Sequence, residues 1–236
     1  MNIKKVEAGE GVNWFAEGWR LFKLNPSAWL LILIVYFVVA VILSLVPVVG
    51  KLALSIVGPA LNAGVFRGAR KLDEGGGLAV QDLFSGLLDE PRRVPLLVLG
   101  LIYLGLVIGV AIAAGMLMFL SGGAAWMHSM QSGGFGMHMP LVGIVVTLLV
   151  SLSMLLVGVA IYFAGPLVLL EGLEPFEAVK VGVSACLQNV VPMLVASVVF
   201  LVLAVVASIP AGLGWLVLAP VTFAAGYASY KSIFAT

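Results

Sequence analysis

Charge is scarce in this sequence. Of 236 residues, 12 are Lys or Arg and 11 are Asp or Glu, whereas 62% are hydrophobic. A soluble domain is typically about one quarter charged, so these residues cannot supply a water-facing shell. The shortage also excludes a disordered chain and a nucleic-acid binder with a basic surface. Together with a mean hydropathy of +1.20, it predicts an all-α polytopic membrane protein.

Cysteine and catalytic signatures are also nearly absent. Cys186 is the only cysteine, which excludes a fold held together by intramolecular disulfides. The chain has no HExxH, GxSxG or phosphate-loop motif, and its cytoplasmic carboxylates lie beside arginines, as in ordinary surface ion pairs. We therefore expect no enzyme activity and no cofactor.

Long apolar runs, in contrast, are abundant, and we predict a single integral membrane domain over residues 1–236. Each run is long enough to cross about 30 Å of hydrocarbon. The six predicted spans are residues 27–46, 51–67, 94–120, 140–170, 191–209 and 212–230. No ionisable residue lies deep in any span, which argues against an ion-coupled pump, an antiporter or a voltage sensor.

The basic residues divide unequally between the two sides of these spans. All of them except Lys51 fall on one side, together with every Asp and Glu. Because cytoplasmic loops are enriched in Lys and Arg, this side is predicted to be cytoplasmic. We expect a multi-pass protein of the bacterial inner (plasma) membrane with both termini in the cytoplasm.

An amphipathic segment precedes each pair of spans. The first carries Phe15, Trp19 and Phe22 on one face and predicts a helix at the membrane interface, with Trp14 and Trp19 at headgroup depth. Residues 78–90 and 175–189 show the same pattern, and the apolar face of the third segment carries Phe176, Val179, Val183 and Leu187. The order of segments suggests repeats over 11–72, 78–172 and 174–232, with about three cytoplasmic-side interfacial helices.

Prolines and small residues interrupt the apolar spans. Pro59, Pro166 and Pro220 each lack a backbone donor and predict helix kinks, either as static bends or as hinges beside a cavity. Small residues recur every fourth position at Gly105, Gly109 and Ala113, and again at Ala60, Gly64 and Gly68. These faces allow close helix approach, as internal seams or as dimer faces.

Basic residues near the cytoplasmic ends of the spans form a predicted lipid-headgroup site. Positive-inside bias alone is the alternative explanation of these charges. The candidate headgroup residues are Arg20, Lys23, Arg67, Arg70, Lys71, Arg92 and Arg93. The expected partners are membrane lipids, or a membrane or cytoplasmic protein, and no nucleic acid.

The external loop between the third and fourth spans concentrates Met and His. Thioether and imidazole ligands suit Cu(I), so the loop is a candidate copper site. An apolar loop at the interface, with Met as a filler, is the alternative. The candidate ligands are Met127, His128, Met130, Met137, His138 and Met139.

A run of motifs in the first quarter of the chain resembles a known family. The motifs are Trp14, Gly18-Trp19-Arg20-Leu21-Phe22, Asn25-Pro26, Trp29, Pro47-Val48-Val49-Gly50, Gly58-Pro59, Ala63-Gly64, Arg67 and Asp82-Leu83-Phe84. They resemble an uncharacterised family of proteobacterial six-span inner-membrane proteins, similar to the membrane domain attached to some glycerophosphodiester phosphodiesterases. The resemblance implies a helical bundle in the inner membrane. It implies no catalytic residues, because this sequence carries no attached catalytic domain.

Three functions follow from these patterns. The first is a non-enzymatic module that organises lipid or a protein partner through its interfacial helices and basic residues. The second is a passive carrier or conduit for a small apolar or lipid-like solute, through a cavity at Pro59 and Pro220. The third is an external Met/His copper-binding protein.

Overall fold

The computed structural model describes residues 2–120 and 141–234, and every regular element in these two ranges is helical. In these ranges the six long helices come in three pairs, and shorter helices precede each pair. The elements are α1 Glu10–Leu24, α2 Pro26–Ser44, α3 Val49–Asp73, α4 Val80–Leu83, α5 Ser85–Leu88, α6 Glu90–Leu120, α7 Leu141–Tyr162, α8 Ala164–Pro166, a π-helical turn Leu167–Glu171, α9 Pro175–Gln188, α10 Val190–Ser208 and α11 Trp215–Phe234.

Five segments of the described chain are long and apolar enough to cross a membrane. They are Pro26–Ser44, Val49–Asp73, Glu90–Leu120, Gly143–Glu171 and Val190–Ser208. Large apolar side chains such as Phe37, Ile112 and Val205 point out of the bundle on these helices. Lipid tails match such a surface and water does not, so the chain is a helical membrane protein.

The sixth predicted span forms α11, which differs from the other five. It is 20 residues long, and more than half of its side chains are buried against the rest of the protein. Tyr227, Tyr230 and Lys231 make its second half less apolar, and α11 is not among the five candidate spans. A helical membrane fold is therefore confirmed, and the sixth crossing stays a prediction.

Local sequence explains where the first long helices begin. Asn25 separates α1 from α2, and its side-chain oxygen accepts a hydrogen bond from the Ala28 backbone N–H at 3.2 Å. This bond caps the N-terminus of α2, and Pro26 suits its first turn because proline has no N–H to satisfy. Asn189 occupies the corresponding place between α9 and α10.

The three amphipathic segments adopt different structures. The first and third are the single helices α1 and α9, whereas the second is the pair of one-turn helices α4 and α5. The headgroup depth of Trp14 and Trp19 stays a prediction, but the two indoles differ in exposure. The Trp14 side chain is only 4% exposed, because α1 turns this face toward the protein, and Trp19 is the exposed indole.

Two of the four residues on the apolar face predicted for α9 point away from the protein, whereas Val179 and Val183 are half-buried. Phe176 and Leu187 are 67% and 65% exposed. Its buried residues are instead small or compact, namely Pro175, Ala178, Gly182, Ala185 and Cys186. The helix thus packs through a small-residue face and leaves its large apolar side chains on the surface.

The amphipathic segments share one packing arrangement. Helices α4 and α5 pack on α3, which precedes them, and α9 packs on α7 and α8, which precede it. Helix α1 packs most extensively on α11 and also on α10. The first amphipathic segment therefore packs on the last pair of long helices. This contact joins the two ends of the chain.

Aromatic side chains from three parts of the chain meet in the core. Phe66 of α3 contacts Tyr230 of α11, with ring centroids 6.1 Å apart. Phe163, between α7 and α8, contacts Tyr230 at 6.5 Å and Phe234 at 5.2 Å. Phe66 and Phe163 are almost fully buried, so these rings hold α3 and α11 to the break after α7.

Candidate functional site

Charged side chains from several elements converge at one end of the bundle, which we call the charged end. The residues come from the second half of α1, the last turns of α3 and α11, the short helices α4 and α5, and the π-helical turn. The charged end comprises Glu17, Arg20, Arg67, Arg70, Lys71, Asp73, Glu74, Asp82, Asp89, Glu171 and Lys231.

Asp73 is the most connected carboxylate of the charged end. Its Oδ1 accepts a hydrogen bond from Arg20 Nη2, and its Oδ2 accepts one from Lys231 Nζ, both at 2.5 Å. The Tyr227 hydroxyl donates to Oδ2 at 3.3 Å. Only 8% of the Asp73 side chain is exposed. The carboxylate therefore ties α1 and α11 to the end of α3.

Arg20 itself is held by two carboxylates. Its Nε donates to Glu17 at 2.6 Å in addition to the bond to Asp73. The hydrogen bonds that Arg20 donates to Glu17 and Asp73 raise the pKa of its guanidinium above its already high value. The predicted headgroup residue Arg20 is thus permanently charged and already paired within the protein.

Three more of the predicted headgroup residues are paired. Arg67 donates to Asp89 at 2.9 Å, and Lys71 lies 3.6 Å from an oxygen of Asp82. These pairs fasten α5 and α4, respectively, to the last turns of α3. Arg70 donates to Glu74 at 3.0 Å and approaches Glu171 at 4.0 Å.

The other three predicted headgroup residues are not matched by carboxylates. Arg92 is half-buried and donates to the Gly172 carbonyl oxygen at 3.3 Å. Lys23 and Arg93 are exposed. Within residues 2–120 and 141–234, no carboxylate lies within 4.0 Å of Lys23, Arg92 or Arg93. The seven residues thus separate into four paired and three unpaired cations.

The structure adds Lys180 of α9 to the unpaired cations. It is exposed and has no carboxylate within 4.0 Å in the described part of the chain. Sequence analysis assigned Lys180 only to the cytoplasmic side. The sequence pattern that could have identified Lys180 is its position one turn after the aromatic Phe176. Lys23 follows Trp19 at the same spacing on α1.

Three of the exposed, unpaired cations lie beside large exposed apolar side chains. Lys23 follows Trp19 by one turn, Lys180 follows Phe176 by one turn, and Arg93 precedes Val94. Such cation and apolar neighbours suit the boundary between headgroups and acyl chains. We call this set the interfacial rim: Trp19, Lys23, Leu88, Arg93, Val94, Phe176, Lys180 and Leu187.

The three predicted kink prolines are all buried. Helices α3 and α11 continue through Pro59 and Pro220, whereas the α-helix is interrupted next to Pro166. A Cβ placed on Gly165 would lie 2.8 Å from the Pro59 carbonyl oxygen, so α3 and α8 are in close contact there. This close packing favours the static-bend interpretation over a hinge.

The two small-residue faces differ. A Cβ on Gly64 would lie 2.2 Å from the Leu83 carbonyl oxygen, so the α3 face is an internal seam against α4. A Cβ on Gly105 or Gly109 would meet no atom of the described residues within 4 Å. These glycines and Ala113 line an open groove of about 320 Å³ between α6 and α7.

The predicted copper ligands at residues 127–139 lie outside the described residues. Within residues 2–120 and 141–234, no group of three or more His, Cys, Asp and Glu side chains could hold a metal ion. The copper hypothesis therefore stays a prediction from the sequence.

Comparisons with known proteins add no assignment. The chain matches no protein-family model, no curated protein and no solved structure. Its functional interpretation therefore depends on the geometry of the charged end and the interfacial rim.

Proposed function

We propose that this chain is a non-enzymatic module of the bacterial inner membrane that binds and organises anionic lipid through its interfacial rim. One observation carries the proposal. The cations at the centre of the charged end are paired with carboxylates, whereas Lys23, Arg93 and Lys180 are exposed beside large apolar side chains. This arrangement leaves cationic hydrogen-bond donors available to lipid phosphates.

The energetics of the rim suit reversible lipid selection. A Lys or Arg near an anionic membrane surface contributes about 1 kcal/mol, which corresponds to roughly fivefold in affinity. Three such cations give a substantial preference that salt weakens, because exposed charges are screened. The apolar neighbours of each cation favour a lipid as occupant over a soluble anion, since they would lie among acyl chains.

The proposed architecture distributes the rim around the protein. We infer three units, residues 11–72, 78–172 and 174–232, each an amphipathic segment followed by two crossings, with both termini cytoplasmic. The five buried positions of α1 have the same spacing as those of α9, and α2 and α10 are both 19 residues long. Each unit then contributes one rim cation, which supports a belt of headgroup contacts.

The test of the proposed function removes the three rim cations together. We expect the triple variant Lys23→Gln, Arg93→Gln and Lys180→Gln to lose most of its preference for phosphatidylglycerol over phosphatidylcholine. The measurement is the fraction of spin-labelled lipid that the reconstituted protein immobilises, at low and at physiological salt. Unchanged selectivity in the triple variant would rule the proposal out.

Two controls separate headgroup binding from general effects of charge. Lys51→Gln removes the one cation predicted on the opposite side and should leave selectivity unchanged. Arg67→Gln with Asp89→Asn removes a paired cation together with its carboxylate, and we expect little change there too. A loss of selectivity in the paired control equal to that in the triple variant would contradict the distinction between paired and unpaired cations.

A further inference from the structure

A cleft of about 540 Å³ opens beside Asp73, separate from the interfacial rim. It lies between α1, the ends of α3 and α11, and the segment that precedes α1. Its charged lining residues are Lys4, Glu17, Arg20, Asp73 and Lys231. Three cations thus face two carboxylates in a space large enough for a small polar group.

The carboxylate of Asp73 lies beneath the cations. Its side chain is 8% exposed, whereas the side chains of Arg20 and Lys231 are 44% and 56% exposed. A guanidinium carries five N–H donors and an ammonium three, so both groups retain donors beyond those given to Asp73 and Glu17. The buried carboxylate therefore positions two cations whose remaining donors are open to the cleft.

The backbone holds the third cation at the same opening. The Lys4 N–H donates to the Ile233 carbonyl oxygen at 2.9 Å, and the Lys4 carbonyl oxygen accepts from Asn189 Nδ2 at 3.1 Å. The Lys4 residue is exposed, and its ammonium has no carboxylate within 4.0 Å among the described residues.

One positive charge is left in the cleft after Glu17 and Asp73 are counted against the three cations. Glu17 is the less buried of the two carboxylates. Its carboxylate already accepts from Arg20 Nε at 2.6 Å, and half of its side chain is exposed to solvent. Lys4, Arg20 and Lys231 therefore dominate what the cleft presents to a ligand. A group with several acceptor oxygens and negative charge matches three such donors, and charge-assisted hydrogen bonds are the strong ones.

We infer that this cleft binds one phosphate group, supplied by a phospholipid headgroup or by a small soluble phosphate. The site is distinct from the rim, because it requires Lys4, Arg20 and Lys231 and would hold a single ligand per chain. Ordered side chains reduce the entropy lost on binding, so the prior fixation of Arg20 and Lys231 by Asp73 favours this occupant.

The experiment uses the full chain in mild detergent and native mass spectrometry with phosphatidylglycerol. We expect one tightly retained lipid per chain, bound about tenfold more weakly after Lys4→Gln with Lys231→Gln. The matched control, Lys5→Gln with Lys51→Gln, removes the same charge outside the cleft and should bind like the wild type. Equal binding by the cleft variant and its control would overturn the inference.

Competition by inorganic phosphate identifies the source of the phosphate group. Retention of the lipid in excess phosphate indicates a headgroup site, and displacement indicates a site for soluble phosphate. If no lipid is retained, phosphate titration by calorimetry on the same variants provides the readout, and the absence of both lipid and phosphate binding overturns the inference.

Two further variants keep the result interpretable. Because Lys231 pairs with Asp73, its replacement could loosen the fold, so Lys4→Gln alone is measured as well. Lys4 makes no ion pair in the described structure, and we expect a severalfold loss of binding from this change. The rim triple variant should keep the single bound phosphate, so failure of the rim proposal and failure of this one remain distinguishable.

Discussion

Helices α1 and α9 bury the same pattern of positions with different side chains. Both precede a 19-residue helix, and both bury five positions at identical spacing. Helix α1 buries Trp14, Leu21 and Phe22 together with two glycines, whereas α9 buries mostly small residues. The two helices share the spacing of their buried positions. Large side chains of α1 fill space in its own interface, whereas at α9 the neighbouring helices supply that volume.

The difference is clearest at the central glycine of each helix. A Cβ on Gly18 would lie 2.6 Å from the Val221 carbonyl oxygen, so the backbones of α1 and α11 touch. A Cβ on Gly182 would have its nearest atoms at 3.6 Å, which is ordinary contact. Helix α1 is therefore closely fitted to its neighbour, and α9 has room for one more methyl group.

The largest expected effect comes from adding that methyl group to each helix. Gly18→Ala should lower the free energy of unfolding by about 2–3 kcal/mol, since the backbone of α11 must move. Gly182→Ala should be neutral or stabilising by up to about 1 kcal/mol, because alanine favours helix more than glycine does. Unfolding by SDS in mixed micelles measures both, and equal effects would show that the two interfaces are equally tight.

The asparagines that follow the two helices sharpen the comparison. Asn189 is fully buried, accepts from the Val6 N–H at 2.8 Å, and donates to the carbonyl oxygens of Lys4 and Ala185. Asn189→Ala should lower the free energy of unfolding by about 2 kcal/mol and speed hydrogen exchange at Val6. Asn25→Ala removes a helix cap and an exposed hydrogen bond from the Ser27 hydroxyl, at about 1 kcal/mol. A larger loss of free energy of unfolding for Asn25→Ala than for Asn189→Ala would contradict the conclusion that the buried hydrogen bonds of Asn189 matter more than the cap of Asn25.

The two tryptophans of α1 give a smaller contrast. Trp14 Nε1 donates to Ser232 Oγ at 2.8 Å within the protein, whereas Trp19 is 45% exposed. Trp14→Phe should lower the free energy of unfolding by about 1 kcal/mol through the lost hydrogen bond. Trp19→Phe should leave it unchanged, and brominated lipids should quench Trp19 more strongly than Trp14. Strong quenching of Trp14 would place it in lipid instead.

The smallest effect concerns the reactivity of the Cys186 thiol on α9, which labelling measures without any change in stability. Burial raises the pKa of the Cys186 thiol to about 12, so almost no thiolate exists at pH 7.4. We expect negligible maleimide labelling of the wild type in detergent. The variant Cys186→Ala with Leu187→Cys places the thiol on the exposed face and should label readily, because an exposed thiol has a pKa near 8.5. Rapid labelling of Cys186 would show that α9 detaches from α7 and α8.

Several parts of the fold could be predicted from the sequence. The bounds predicted for the first and fifth spans lie within two residues of those of α2 and α10, because long apolar runs leave little doubt about where a helix is. The predicted second span ended at Arg67, but α3 continues to Asp73. Hydropathy does not report the polar helical turns that project beyond the hydrocarbon.

The orientation of the amphipathic helices could not be predicted in the same way. The exposed Phe176 and Leu187 fit the interfacial helix predicted for residues 175–189, whereas Phe22, on the apolar face predicted for the first segment, is buried against the protein. In a membrane, lipid accepts large apolar side chains as well as a protein core does, and small residues allow close helix contact. Phe176 and Leu187 of α9 therefore point outward, and the small residues of the helix pack against the protein.

The sequence by itself determined that the protein is helical, that it belongs in a membrane, and where its charges fall along the chain. Only the tertiary structure decided which cations are available. Arg20 and Asp73 are far apart in sequence and meet because α1 packs on α11 beside the end of α3. The neighbours of a cation decide whether it pairs with a carboxylate and how many of its donors stay open to a ligand, and those neighbours come from distant parts of the chain.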